Sequence, residues 1–514
     1  MRSKKALRNM TSSLLLQFVS MICGLILPRL LIRSFGSAVN GMTASISQFL
    51  GYIVLFEAGV GGVVRAALYK PLAENDTGRI SSILRASDRF FRRVALIFAG
   101  YSAAVAVVYP FIVRDEGFDY LFTASLVLII AASTFFQYYF GLSCQVLLQA
   151  DQKRYVTSDL QIVTIVLNTV LCIVLIRLGA SIRMVKLATA LVYTLRPLLL
   201  RRIVRRQYAP DPHAVPDETA IAQRWDGFGH HTAYFLHTNT DVFVLTVFSA
   251  FSRAVQIADV SVYAVYYSIV SGVEKIVSAF SSGIEAAFGN MLARGEDETL
   301  QRNFRVYEFF SFTLVTTLFT CAGVLLQPFL LVYTRGVTDA QYLRPVFGIL
   351  LTAAEAVYCI RIPYNNVTLA AGHYRQTRNG AFLEAGINIA LSVALVIPLG
   401  LSGVALATLI AMSVRTVQYA LYLSRHILHR PFRLFAGRCA VNLCACALGV
   451  LTCRALPMPE IGNYLRWAVY ALPVFAVCGV WTLALNSLFY RSDLRGLLVV
   501  FRHSIQKRSR RDSQ

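Results

Sequence analysis

MRSKKALRNMTSSLLLQFVSMICGLILPRLLIRSF, residues 1–35, places Arg2, Lys4, Lys5 and Arg8 ahead of an apolar run that closes with Pro28, Arg29 and Arg33. An apolar run of about 18 residues or more crosses roughly 30 Å of hydrocarbon as a helix. The run over 13–35 meets that length. It is too long for a signal peptide, and no small-x-small cleavage site follows it, so it reads as an uncleaved first span. The same pattern recurs down the chain at 41–64, 94–113, 121–149, 156–178, 183–204, 227–250, 260–288, 306–333, 345–371, 380–399, 403–424, 438–456 and 465–490. The expectation is an all-α polytopic membrane protein of about fourteen transmembrane helices.

The loops orient this train. With the N-terminus placed in the cytoplasm, the cytoplasmic loops and both termini hold 35 of the 49 Lys and Arg residues, and the opposite loops hold 11. The opposite set includes 177–186, with Arg177, Arg183 and Lys186. Lys and Arg accumulate on cytoplasmic loops, so the excess predicts both ends inside and an even number of spans. Three cations remain within spans: Lys275, Arg361 and Arg415.

Composition excludes several classes. A chain that is 56% hydrophobic and 15% charged is not an ordinary soluble protein. A net charge of +22 would point to nucleic acid in a soluble protein. Here the charge flanks the membrane, where anionic lipid headgroups account for it, so membrane lipids are expected partners and nucleic acid is not. The ten cysteines contain no CxxC pair and read as packing residues. No loop reaches the size of a catalytic domain, and no GxxxxGK[ST] loop is present. An enzyme is therefore not expected, and neither are catalytic residues, a metal site or a cofactor.

The longest connection, 201–224, carries Arg201, Arg202, Arg205 and Arg206 and then Pro210, Pro212 and Pro216, which cannot be helical throughout. It divides the chain into an N-terminal lobe of six spans (1–206), a cytoplasmic linker (207–224), a C-terminal lobe of six (225–428), an extra helix pair (429–492) and a basic cytoplasmic tail (493–514). Two lobes starting on the same side would be related by a pseudo-two-fold axis along the membrane normal. The first span of each lobe carries a polar stripe at steps of 4, 3 and 4: Ser13, Gln17, Ser20 and Gly24 in one, His230, Tyr234, His237 and Asp241 in the other. Each stripe lies on one helix face.

A charge near a span centre costs about 2.5–3.5 kcal/mol on insertion scales, so each one needs an account. Glu57, ahead of Gly59, Gly61 and Gly62, is either a cavity or gate carboxylate or a buried ion partner. His237 and Asp241 form an i, i+4 pair, too few ligands for a metal, which suits proton or cation coupling or structural hydrogen bonding. Glu274 and Lys275 are adjacent in the eighth span, so their side chains diverge by about 100°. Arg29, Arg33, Arg361 and Arg415 suit a phosphate or pyrophosphate ligand. Alternatively, Arg29 and Arg33 snorkel to headgroups, and Arg361 and Arg415 pair with Glu355 or Glu384.

The segments SFGSAVNG (34–41), SISQFL (45–50), EAGVG (57–61), KPLA (70–73), QADQK (149–153), NTD (239–241) and GIEAAFGN (283–290) resemble the Wzx-type polysaccharide flippases. That family belongs to the multidrug/oligosaccharidyl-lipid/polysaccharide exporter superfamily. The resemblance runs from about residue 7 to about 425. It implies two six-helix lobes around a central cavity plus two extra helices. It also implies transfer of an undecaprenyl-pyrophosphate-linked oligosaccharide from the inner to the outer leaflet by alternating access, driven by an ion gradient or the membrane potential. Cavity cations would hold the pyrophosphate; Arg29, Arg33, Arg361 and Arg415 are the candidates, with Gln17 and Lys275 on the same cavity. Asp241, His237, Glu57 and Glu274 are the candidates for ion coupling or gating. The setting would be a bacterial plasma membrane, in a lipopolysaccharide or capsule route, the chain acting as a monomer beside a glycan polymerase and glycosyltransferases. Two alternatives stand: a cation-coupled small-molecule exporter of the same architecture, and a membrane-embedded glycan-modifying transferase.

Overall fold

The computed structural model describes residues 2–57, 60–113, 118–219, 228–252, 255–281, 284–457 and 462–499. The described residues are helical and contain no strand. They fall into two compact units, one formed by residues 1–268 and 337–340, the other by 269–336 and 341–514.

The first unit begins with α1 (Arg2–Phe35), α2 (Ser37–Gly51), α3 (Val54–Glu57) and α4 (Val60–Glu74). It continues with α5 (Thr77–Ile112), α6 (Tyr120–Phe136), α7 (Leu142–Ala150), α8 (Arg154–Arg177) and α9 (Ile182–Tyr208). It also holds α10 (Phe228–Phe251) and the first half of α11 (Ile257–Ser281). Local chemistry sets several boundaries. Asp76 caps α5 by accepting the Arg79 amide at 2.9 Å, and Ser181 caps α9 by accepting from Met184. Such caps satisfy amides that the first helical turn leaves unpaired.

The second unit contains the rest of α11, then α12 (Ile284–Ala293), α13 (Asp297–Tyr333), α14 (Pro345–Ala370) and α15 (Tyr374–Leu399). It ends with α16 (Leu401–His426), α17 (Arg433–Ala455) and α18 (Tyr464–Phe489). α14 and α15 both pack on α16, and α13 packs against α14, α17 and α18. Gly400, with φ 54°, makes the turn between α15 and α16. A side chain at Gly403 would overlap the Leu395 carbonyl, so the two helices meet backbone to backbone there. Phe288, Phe304, Phe312, Tyr364 and Phe435 form one apolar cluster of this unit.

Eleven helices among the described residues are long and apolar enough to cross a membrane. The other three expected passages differ for identifiable reasons. The run 41–64 is not the single helix expected: α2 ends at Gly51, a turn covers Tyr52 and Ile53, and α3 and α4 follow. α9 carries Arg183, Lys186 and Arg196, which lower its mean hydropathy. In α10 only Thr240–Phe251 stands out as an apolar stretch of the described residues. The expected span 121–149 contains a departure as well. Gln137–Gly141 is a π-helical turn between α6 and α7, and such turns often occur at functional sites.

Candidate functional site

In the first unit, α1, α2, α6, α8 and α9 enclose a cavity of about 480 Å³. Lys186, which the sequence reading counted with the outer loop 177–186 and also within the span 183–204, lines it as the fifth residue of α9. Among the described residues no hydrogen bond or ion pair reaches its ammonium. Around it stand Asn168, Cys172, Thr189 and Tyr193. The Asn168 amide donates to the Tyr193 hydroxyl at 3.4 Å, and the Cys172 thiol lies 3.5 Å from the Thr189 hydroxyl. A hydrated ammonium placed in an apolar slab is costly unless an anion or polar groups attend it. The cavity thus offers one cation and a ring of hydroxyl and amide groups, a donor set matched to a phosphorylated or hydroxyl-rich ligand.

Tyr138, on the π-turn, lines the same cavity. Its hydroxyl donates to Glu57 at 2.9 Å. Glu57 therefore has a neutral donor, and Arg65 bonds instead to Gln149 at 2.9 Å. The π-turn is held by Arg196, which donates to Gln137 at 3.2 Å. It also packs closely on α9, where a Cβ at Gly141 would come 2.8 Å from the Pro197 ring.

Asp241 is 6% exposed and accepts from the Tyr263 hydroxyl at 2.9 Å. It lies at the end of a buried polar seam joining α10 and α11 to α2. Asn40 donates to Ser261 at 2.7 Å, and Ser45 and Thr246 share a hydrogen bond of 2.7 Å. Gly41 lies so close to α11 that a side chain there would overlap the Ile257 carbonyl. At the start of α2, the Ser37 amide and hydroxyl donate to Asp339 at 2.5 and 2.8 Å. The side chains of His230 and His237 lie outside the described residues, as does that of Glu285.

In the second unit, Arg361 of α14 donates to Glu384 of α15 at 2.5 Å. Arg415 of α16 stands 3.8 Å from the other oxygen of Glu384. Arg361 is also 4.9 Å from the Tyr358 ring centre and Arg415 4.3 Å from that of Tyr419. The structure thus brings two of the four arginine candidates together, around a carboxylate. Glu274 is half-buried and accepts from Ser278 at 2.6 Å, whereas Lys275 is exposed. Arg29 is half-buried, Arg33 and Gln17 are exposed, and all three lie on α1 of the first unit.

A second charged cluster of this unit was not anticipated. Glu308, fully buried in α13, takes Arg430 on both oxygens at 2.9 and 2.5 Å and Arg438 at 2.9 Å. Tyr364 also donates to it, and Arg438 pairs with Asp493. Burial works to lower the Arg430 pKa, and Glu308 overrides it, so the guanidinium is held above its usual range. Two cations meet two carboxylates, which joins α13 to the segment before α17, to α17 itself and to the segment after α18. The sequence signal was an isolated carboxylate in a long apolar run, Glu308, and it was assigned to no site.

The sequence matches no family model and no curated protein. Solved structures do match. A lipid II flippase, MurJ, in an inward closed conformation superimposes with a TM-score of 0.68 at 15% identity, covering 93% of this chain and 98% of that one. The fold is that of the MurJ and MATE transporters. An inward-facing multidrug-resistance MATE transporter of the MOP superfamily gives a TM-score of 0.63 at 14% identity, over 78% of this chain and 93% of that one. A MATE transporter of Vibrio cholerae gives 0.54 at 15% identity, over 83% and 99%. At such identities the likeness is one of fold.

Proposed function

We propose that this chain is a membrane transporter of the multidrug/oligosaccharidyl-lipid/polysaccharide exporter superfamily. Within it, we assign a flippase that carries a polyprenyl-pyrophosphate-linked oligosaccharide from the inner to the outer leaflet by alternating access. The observation that carries this reading is the likeness to a lipid II flippase over 93% of the chain, against 78% for the inward-facing MATE transporter. The chemistry of the first-unit cavity supports it: Lys186 supplies a cation for a phosphate, and the hydroxyl and amide groups near it suit a glycan. Arg361 and Arg415 with Glu384 sum to one positive charge, a second place for an anionic group. Arg29 and Arg33 remain candidates on α1. Asp241 and Glu57, each accepting from a tyrosine hydroxyl, are the groups we assign to ion coupling. No cofactor is invoked; an ion gradient or the membrane potential drives turnover. The setting is a bacterial plasma membrane with both termini cytoplasmic, supplying a polymerase with glycan made by glycosyltransferases.

The MATE likeness favours a second reading, a cation-coupled exporter of small molecules. Purified protein in proteoliposomes separates the two. A fluorescent polyprenyl-pyrophosphate oligosaccharide should become accessible to a membrane-impermeant quencher faster with protein than without, and a cationic dye should not be expelled. Dye expulsion without lipid transfer would overturn the flippase reading.

A further inference from the structure

A second cavity of the first unit, about 700 Å³, lies where α5 begins and α9 ends, beside residues 209–212. Arg85, Arg89, Arg92, Arg93, Arg201 and Arg205 line it. The carboxylates that line it among the described residues are Asp88 and Asp211. Six guanidinium groups against two carboxylates leave a clear cationic excess. The carboxylates are also engaged. Asp88 accepts from the Ser143 hydroxyl and stands 4.0 Å from Arg92. Asp211 accepts the His213 amide at 2.8 Å. Arg89 pairs with Glu218 at 3.4 Å. Arg85, Arg93, Arg201 and Arg205 form no ion pair with a carboxylate of the described residues, and the Arg92 Nε is buried without a hydrogen-bond partner. Arg201 and Arg92 are steadied instead by the rings of Phe140 and Tyr139, each 5.2 Å away.

Clustered guanidinium groups with unused donors, held by aromatic faces, recognise phosphate oxygens. Any phosphate ester would satisfy that chemistry. The position of the cavity selects the source. Arg93 is followed one turn later by Leu96, which lines the cavity and is 62% exposed. From Val94 onward α5 is apolar, so the arginines stand at the level where a membrane helix meets the headgroups, with an apolar lip beside them. Basic pockets at that level between transmembrane helices hold anionic lipid headgroups. We infer that this cavity is a binding site for the phosphate headgroup of an anionic phospholipid, its acyl chain running along the Leu96 face of α5. The inference concerns a bound lipid rather than the transported one, so it stands or falls separately from the flippase reading.

The test uses the full chain in detergent micelles doped with dioleoylphosphatidylglycerol or dioleoylphosphatidylcholine, with retained lipid counted by native mass spectrometry. The wild type should retain phosphatidylglycerol roughly tenfold or more over phosphatidylcholine. Arg93 and Arg205 are exposed on the rim, so Arg93→Gln with Arg205→Gln should leave thermal melting unchanged and remove the preference. Arg93→Lys with Arg205→Lys should keep most of it. Arg302→Gln with Arg305→Gln, exposed cations of the second unit, should keep it fully. An absent preference in the wild type, or an equal loss in the Arg302 and Arg305 control, would overturn the assignment. So would binding of inorganic pyrophosphate without retention of phosphatidylglycerol, which would move the site to a soluble phosphate compound.

Discussion

Arg361 and Glu384 meet at 2.5 Å with side chains 7% and 6% exposed, and Arg415 approaches the same carboxylate from the next helix. The guanidinium proposed to hold substrate is thus also part of a structural trio. Glu384→Gln should leave two buried cations without their shared anion and destabilise by about 3–5 kcal/mol, read as a large fall in detergent melting temperature. Replacing both Arg361 and Glu384 by leucine should restore stability, since well-packed apolar pairs often replace buried ion pairs at no cost. If that double variant still flips lipid normally, Arg361 has no role in holding pyrophosphate.

Lys186 separates function from stability more cleanly. Lys186→Met removes a cation from a membrane cavity, so membrane abundance should hold or rise, while glycan export falls by an order of magnitude or more. Lys186→Arg should retain part of the activity. Normal export by the methionine variant at normal abundance would remove the cavity from the transport path.

Asp241→Asn keeps an acceptor oxygen for the Tyr263 hydroxyl while removing the charge. Folding should persist, and transport in proteoliposomes should lose its response to an imposed ion gradient or voltage. A response of wild-type size would exclude Asp241 from coupling.

Glu308→Ala would strand Arg430 and leave Arg438 with Asp493 alone, each guanidinium side chain being less than a tenth exposed. A loss of about 3–5 kcal/mol is expected, with proteolysis appearing in the segments around Pro431 and Asp493 before the rest. A variant as stable as the wild type would show that the network carries little of the second unit's stability.

At Asp151, burial alone would raise the carboxyl, but Lys153 at 2.6 Å, the Tyr208 hydroxyl at 2.5 Å and Lys5 at 3.3 Å bring it below its usual range. A carboxyl depressed in the folded state stabilises above its unfolded value of about 3.9 and loses that contribution as pH falls through the folded value. Asp151→Asn should therefore melt lower than the wild type at neutral pH and converge with it under strong acid. Parallel curves at all pH values would exclude this linkage.

Much of the fold could be read from single residues and their order. The apolar runs marked the passages, because a helix must stay apolar for its whole traverse of hydrocarbon. The charges within apolar runs, Glu57, Asp241, Arg361 and Arg415, stood out because each is costly in that medium. Their partners did not. Tyr138, which bonds Glu57, lies 81 residues away, and Glu384 was only one of two carboxylates open to Arg361. Lys186 stood where the loop 177–186 and the span 183–204 overlap, and composition does not reveal that this fifth residue of α9 lines a cavity. The break at Tyr52 and Ile53 was equally hidden, since an apolar run reads alike whether its helix is continuous or interrupted.

What the sequence determined by itself was the medium: the all-helical class, the approximate number of passages and the separation of basic loops, all consequences of transfer free energy summed along a chain. Only the tertiary structure decided which intramembrane charges pair and which line a cavity. Those pairings join residues tens to hundreds of positions apart, and a hydrogen bond or ion pair depends on ångström-scale distances that local composition does not encode. That is why Arg361 emerges bound to Glu384, while Lys186 emerges lining a cavity of the first unit.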